Sequence, residues 1–149
     1  MSRSGSDAAD EPGRLTPAPG ADLPEGPDTD LFVVRAASAP ERVIHSDRGG
    51  DHVFRFLATT VETAGRYSFL DHDVPVGGGP LPHVHQKADE WFYVLKGNPV
   101  VHVDDRTYRF AEGDFVHIPM GTTHWFEVFG SPVRVLAGYC PAGEELAFL

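Results

Sequence analysis

The chain has 149 residues and a formal net charge of −10, from 12 Lys and Arg against 22 Asp and Glu. It has no Lys/Arg cluster to neutralise phosphates, which argues against nucleic-acid binding, and no apolar run approaches the roughly 18–20 residues of a membrane span. The single cysteine, Cys140, excludes an internal disulfide framework and a Cys-based zinc site.

Charge and composition divide the chain in two. Residues 1–30 hold seven acids against Arg3 and Arg14, so half of the excess negative charge sits on a fifth of the chain. Five of the 13 prolines lie there too, and Leu15 and Leu23 are the only large apolar groups after Met1. Burial cannot offset ordering entropy in such a segment, which reads as a disordered or draped tail. It lacks the apolar h-region of a signal peptide. With one thiol besides, the expected compartment is the cytoplasm.

From Leu31 to Leu149 the pattern is that of a single all-β domain. Short runs rich in Val, Phe, Tyr, Thr and Ile alternate with Gly, Pro, Asp and Asn. In chain order they are Leu31–Arg35, Arg42–Ile44, His52–Thr60, Arg66–Val74, Glu90–Leu95, Pro99–Val103, Thr107–Phe110, Phe115–Ile118, His124–Val128 and Val133–Tyr139. Many short strands with regular breakers predict a β-sandwich or barrel. Asp104-Asp105 reads as a tight hairpin turn. No helical period is sustained, although Glu144-Glu145-Leu146 suits one short helical turn.

Eight histidines are the conspicuous surplus. In extended backbone His83 and His85 project to one face, so both imidazoles can reach one ion. Glu90 opens the next run and shares its face with Phe92 and Val94. A carboxylate on an inward apolar face needs a partner, and a cation serves. His124 shares a face with Phe126 and Val128. Three imidazoles and one carboxylate suit Fe(II), Mn(II), Ni(II), Co(II), Cu(II) or Zn(II), one divalent ion per chain. Asp89 is a rival ligand, but strand alternation points it to the opposite face. His45, His52, His72, His102 and His117 lack ligand spacing, and exposed or hydrogen-bonded structural roles are expected. Phe56, Phe69, Phe92, Phe115 and Phe126 read as core. Cys140 reads as a buried thiol rather than a nucleophile.

The spacing Gly77, five residues, His83-Val-His85, four residues, Glu90, six residues, Gly97 resembles the first signature motif of the cupin superfamily. Gly113, Pro119, Gly121 and His124 resemble the second, with Val128 where that motif has Asn. The resemblance runs from about Val53 to Phe148. It implies a six- to eight-stranded β-barrel or jelly roll with a metal inside, and carries His83, His85, Glu90 and His124 over as the ligands. The Val128 departure touches a group that orients ligands rather than a ligand.

The stretch Arg66–Glu90 and the Pro141-Ala-Gly-Glu-Glu ending are most similar to small bacterial quercetin-dioxygenase-like cupins. That likeness implies a small, planar aromatic substrate of flavonol type, opened by O2, with Glu90 as general base for the enol proton. Two further readings use the same site. One is a metal-dependent cyclase or isomerase of a polyketide-like aromatic that consumes no O2. The other is a non-catalytic module that binds a small molecule. Cupins of this kind are commonly homodimers that share an N-terminal strand, a role open to Leu31–Arg35 and Arg42–Ile44.

Overall fold

The structure, a computed structural model, describes residues 31–149. The tail expected over residues 1–30 lies outside the described residues. The strands are β1 (Glu41–Ser46), β2 (Gly50–Ala58), β3 (Ser68–Val74), β4 (Asp89–Lys96), β5 (Val100–Val103), β6 (Arg106–Arg109), β7 (Phe115–Ile118), β8 (His124–Glu127) and β9 (Val133–Cys140). Two 3-10 turns, Ala36–Ser38 and Glu144–Ala147, flank them. The second turn falls where the C-terminal helical turn was expected. Among the described residues no helix is long and apolar enough to cross a membrane.

Every strand pairing is antiparallel. Six strands form one sheet in the order β1-β2-β3-β9-β4-β7, and β6-β5-β8 form the other. This is the all-β, two-sheet barrel expected from the run-and-breaker pattern. Alternation assigns the faces. In β4, Glu90, Phe92 and Val94 are buried, while Tyr93 and Leu95 are exposed. In β9, Val133, Val135, Ala137 and Tyr139 point inward. Two adjoining cores result. One gathers Val74, Phe92, Val94, Val101, Ile118 and Val128. The other gathers Phe54, Phe56, Leu70, Ala88 and Tyr139.

The β5–β6 hairpin turns at Asp104-Asp105, since Val103 pairs with Arg106. Asp104 takes φ 51°, a left-handed conformation that Asp tolerates better than most residues.

Three expectations are corrected. Leu31–Arg35 forms no strand, because Leu31 is 94% and Val33 65% exposed and no sheet face receives them. Phe115 is not core. It shares an outward face with His117, while Val116 and Ile118 turn inward, and 57% of its surface is exposed. Cys140 is exposed rather than buried, because Tyr139 takes the inward phase at the end of β9.

The connection between β3 and β4 is shaped by its glycines. At Gly79, φ is 123°, and a Cβ would lie 2.0 Å from the Phe126 carbonyl oxygen. Only glycine permits this approach of loop to β8. Gly79→Ala is expected to cost about 2–4 kcal/mol, from backbone strain plus steric overlap. Urea denaturation checks this, and an unchanged midpoint would contradict the close packing.

Candidate metal centre

Glu90 lies near the start of β4 on its inward face, 7% exposed, and His124 opens β8 at 3% exposure. The β3–β4 connection runs antiparallel beside β8 as an improvised extra strand. Gly77 N–H donates to Val128 O at 2.9 Å. His83 N–H donates to His124 O at 3.1 Å, and His124 N–H returns the bond to His83 O at 2.9 Å. That bridge sets His83 directly opposite His124. His85, two residues on, keeps the same face. Its carbonyl accepts from Gly121 N–H at 2.8 Å, which ties the first histidine segment to the second.

The four side chains therefore converge. Their ligand atoms all lie within 4.8 Å of one another. Glu90 Oε2 is 2.6 Å from His124 Nε2 and 3.3 Å from His85 Nε2. His83 Nε2 is 3.2 Å from His85 Nε2.

Each ring is oriented from behind. His83 Nδ1 donates to Leu81 O at 2.8 Å, and His124 Nδ1 donates to Thr122 O at 2.9 Å. His85 Nδ1 faces Glu144 Oε2 at 3.0 Å. Oxygens that can only accept thus hold the proton on Nδ1 of every ring and leave the Nε2 lone pairs turned inward. Three nitrogen lone pairs and one carboxylate at these separations repel one another unless protons or a cation lie between them. The donor set fits a borderline divalent ion.

Protons on Nε2 relieve that repulsion where no cation does. Burial alone would raise the Glu90 carboxyl, but hydrogen bonds from His124 and His85 outweigh it and bring it down to about 2. Burial pushes His83 below the usual imidazole range. The hydrogen bond to Glu90 pulls His85 above it. Tyr139, hydrogen-bonded to Glu90, stays neutral because burial, then the Glu90 charge, raise its phenol.

The cluster opens into a cavity of about 450 Å³. Phe54, Phe92, Phe126 and Phe148 supply aromatic walls. Glu144, Ala147 and Phe148 of the C-terminal segment also line it. That segment is clamped by Glu145, which is fully buried and accepts hydrogen bonds from the Thr60 backbone, the Thr60 hydroxyl and the Gly143 backbone.

The remaining sequence candidates separate clearly. Asp89 turns away and accepts from Met120 N–H at 2.9 Å. His117 lies 3.7 Å from Asp89, on the opposite side of its strand from the core. His45 pairs with Asp51, while His102 bridges Thr107 and Glu127 and stacks on Trp125. Val128, at the Asn position of the motif, is core at 1% exposure and serves the site through its carbonyl. His52 and His72 are hydrogen-bonded to each other, as a structural role requires, but they also line the cavity. Tyr139 and Glu144 were not singled out from the sequence. The inward phase of β9 marks Tyr139, whereas no spacing marks Glu144.

Residues 71–139 match the cupin domain family. The chain carries a cupin domain. It is 28% identical over 128 residues to quercetin 2,3-dioxygenase of Bacillus subtilis, covering 86% of this chain and 37% of that enzyme. It is 42% identical over 88 residues to acireductone dioxygenase of Gluconacetobacter diazotrophicus, covering 56% of this chain and 44% of that enzyme. The chain thus spans less than half the length of either. A solved Thermotoga maritima structure, described as a predicted oxalate decarboxylase, superposes with a TM-score of 0.67 at 24% identity. It covers 74% of this chain and 99% of that one, and speaks for the cupin fold.

Two outcomes are expected. Glu144→Ala should weaken metal affinity about 10–100-fold by freeing the His85 ring, with far-UV circular dichroism unchanged. An unaltered affinity would remove Glu144 from the site. Metal affinity should also fall as pH drops through 6.5 and the range just above it, because a raised His85 holds its proton there and a protonated imidazole cannot ligate. Isothermal titration with Zn(II) across pH 5.5–8 reads this, and a flat profile would contradict imidazole ligation.

Proposed function

We propose that the protein is a metal-dependent dioxygenase for a small, planar, enolisable aromatic of flavonol type, with His83, His85, Glu90 and His124 holding one divalent transition ion. The observation that carries the reading is the four-residue cluster at the wall of an aromatic cavity. The two dioxygenase names among the relatives point the same way. A bound ion would supply Lewis acidity toward an enol oxygen and a template for O2.

The chain's own residues do the rest. Three back-bonded imidazoles keep their lone pairs fixed toward one point, so little reorganisation is needed on loading. Glu90, ionised and 7% exposed, accepts the enol proton at Oε2. Tyr139 hydrogen-bonds the same carboxylate and steadies it. Phe54, Phe92, Phe126 and Phe148 sandwich a planar ring and exclude water from it.

The metal-loaded protein should consume O2 when given quercetin. Glu90→Gln and His85→Ala should each lower kcat/KM by at least about 100-fold. An oxygen electrode with parallel product chromatography provides the test. Conversion without O2 uptake would replace this reading with the cyclase or isomerase one. Saturable binding without conversion would leave a binding module.

A further inference from the structure

The cavity has two polar regions, and the cluster around Glu90 is only one. Strand register separates them. Glu90 pairs with Tyr139 across β4–β9, and Tyr139 pairs with Ser68 across β9–β3. Val94 pairs with Val135, and Val135 with His72. His72 therefore lies four residues further along the same inward faces, roughly 13 Å of strand rise. Hydrophobic residues fill the interval, among them Leu70, Phe92, Val135 and Ala137.

His72 is 8% exposed and stacks on Phe54 with ring centroids 3.9 Å apart. Its Nε2 is 3.1 Å from His52 Nδ1, and His52 is equally buried. Burial, and then the neighbouring His52, hold His72 down at about 3. Burial lowers His52 as well. Both rings are thus neutral at physiological pH.

Two neutral imidazoles carry two N–H protons. One proton occupies their mutual hydrogen bond. The outer nitrogens are His52 Nε2 and His72 Nδ1, and among the described residues no hydrogen bond reaches His72 Nδ1. His72 lines the cavity, so a ligand there can meet that nitrogen.

We propose that His72, backed by His52, is a second binding site within the cavity, which shares a hydrogen bond with a hydroxyl at the far end of a planar aromatic ligand. The inference rests on the cavity being the substrate pocket. The pair disfavours a distal carboxylate, because two uncharged imidazoles cannot compensate its charge. The ligand class is therefore a neutral aromatic with an enol at one end and a phenolic hydroxyl at the other. Such a polar contact discriminates strongly, since the analogue without the hydroxyl leaves the buried nitrogen unpaired.

The test uses the full chain loaded with Zn(II), and two probes, 3-hydroxyflavone and 3,4′-dihydroxyflavone. Isothermal titration should show the dihydroxy compound binding at least about 10-fold tighter. That advantage should vanish in His72→Phe and shrink in His52→Leu. In the unaltered protein, ¹⁵N spectra should show the His72 Nδ1 resonance moving with the dihydroxy probe alone. Equal affinities, or an advantage that survives His72→Phe, would overturn the anchor. Should the variants not fold, the ¹⁵N response of the unaltered protein decides. Should neither flavonol bind, phenol is the probe, and an unmoved His72 resonance overturns the proposal. Retained discrimination without O2 consumption would sink the dioxygenase reading and leave the anchor standing.

Discussion

Glu90 brings an ionised carboxylate into the wall of an apolar cavity, with 7% of its surface exposed. An uncompensated charge there would cost several kcal/mol. The surrounding residues are arranged to meet that cost. Two imidazole nitrogens stand within 3.3 Å of Glu90 Oε2, and a third imidazole closes the group. Because the Nδ1 protons are committed to oxygens behind the rings, the Nε2 atoms face the carboxylate as lone pairs unless they are protonated again. A divalent ion resolves both problems at once. It neutralises the carboxylate and gives three lone pairs a common acceptor.

That requirement explains features of the fold distant from Glu90. The β3–β4 connection must lie flat against β8 for His83 to stand opposite His124, and Gly79 allows the approach. The C-terminal segment must be fixed, since it brings Glu144 to His85 and Phe148 to the cavity wall. Glu145 fixes it through three hydrogen bonds, two of them to Thr60. The stacking of Phe148 on Phe54, with centroids 4.7 Å apart, holds its far end. Segments far apart in sequence thus stabilise the cluster jointly.

Much of this was legible in the sequence because the signals are local. Period-two burial marks β2, β4 and β9, and Gly, Pro and Asp mark the breaks between strands. The His-x-His pair and Glu90 lie within eight residues of one another. What escaped depends on tertiary context. Leu31–Arg35 has strand composition but finds no sheet edge. Phe115 lies on the outward phase of a strand whose inward phase belongs to Val116 and Ile118. Cys140 turned outward for the same reason, one residue after Tyr139. His52 and His72 are twenty residues apart, and only the β2–β3 register joins them. Glu144 reaches His85 across the fold, from a segment with no metal-binding spacing.

X-ray absorption spectroscopy of the Zn(II)-loaded protein decides whether this cluster holds a metal. A coordination shell with three imidazole nitrogens at about 2.0–2.1 Å and at least one carboxylate oxygen is expected. Fewer than three imidazoles, or a shell dominated by water oxygens, would contradict it.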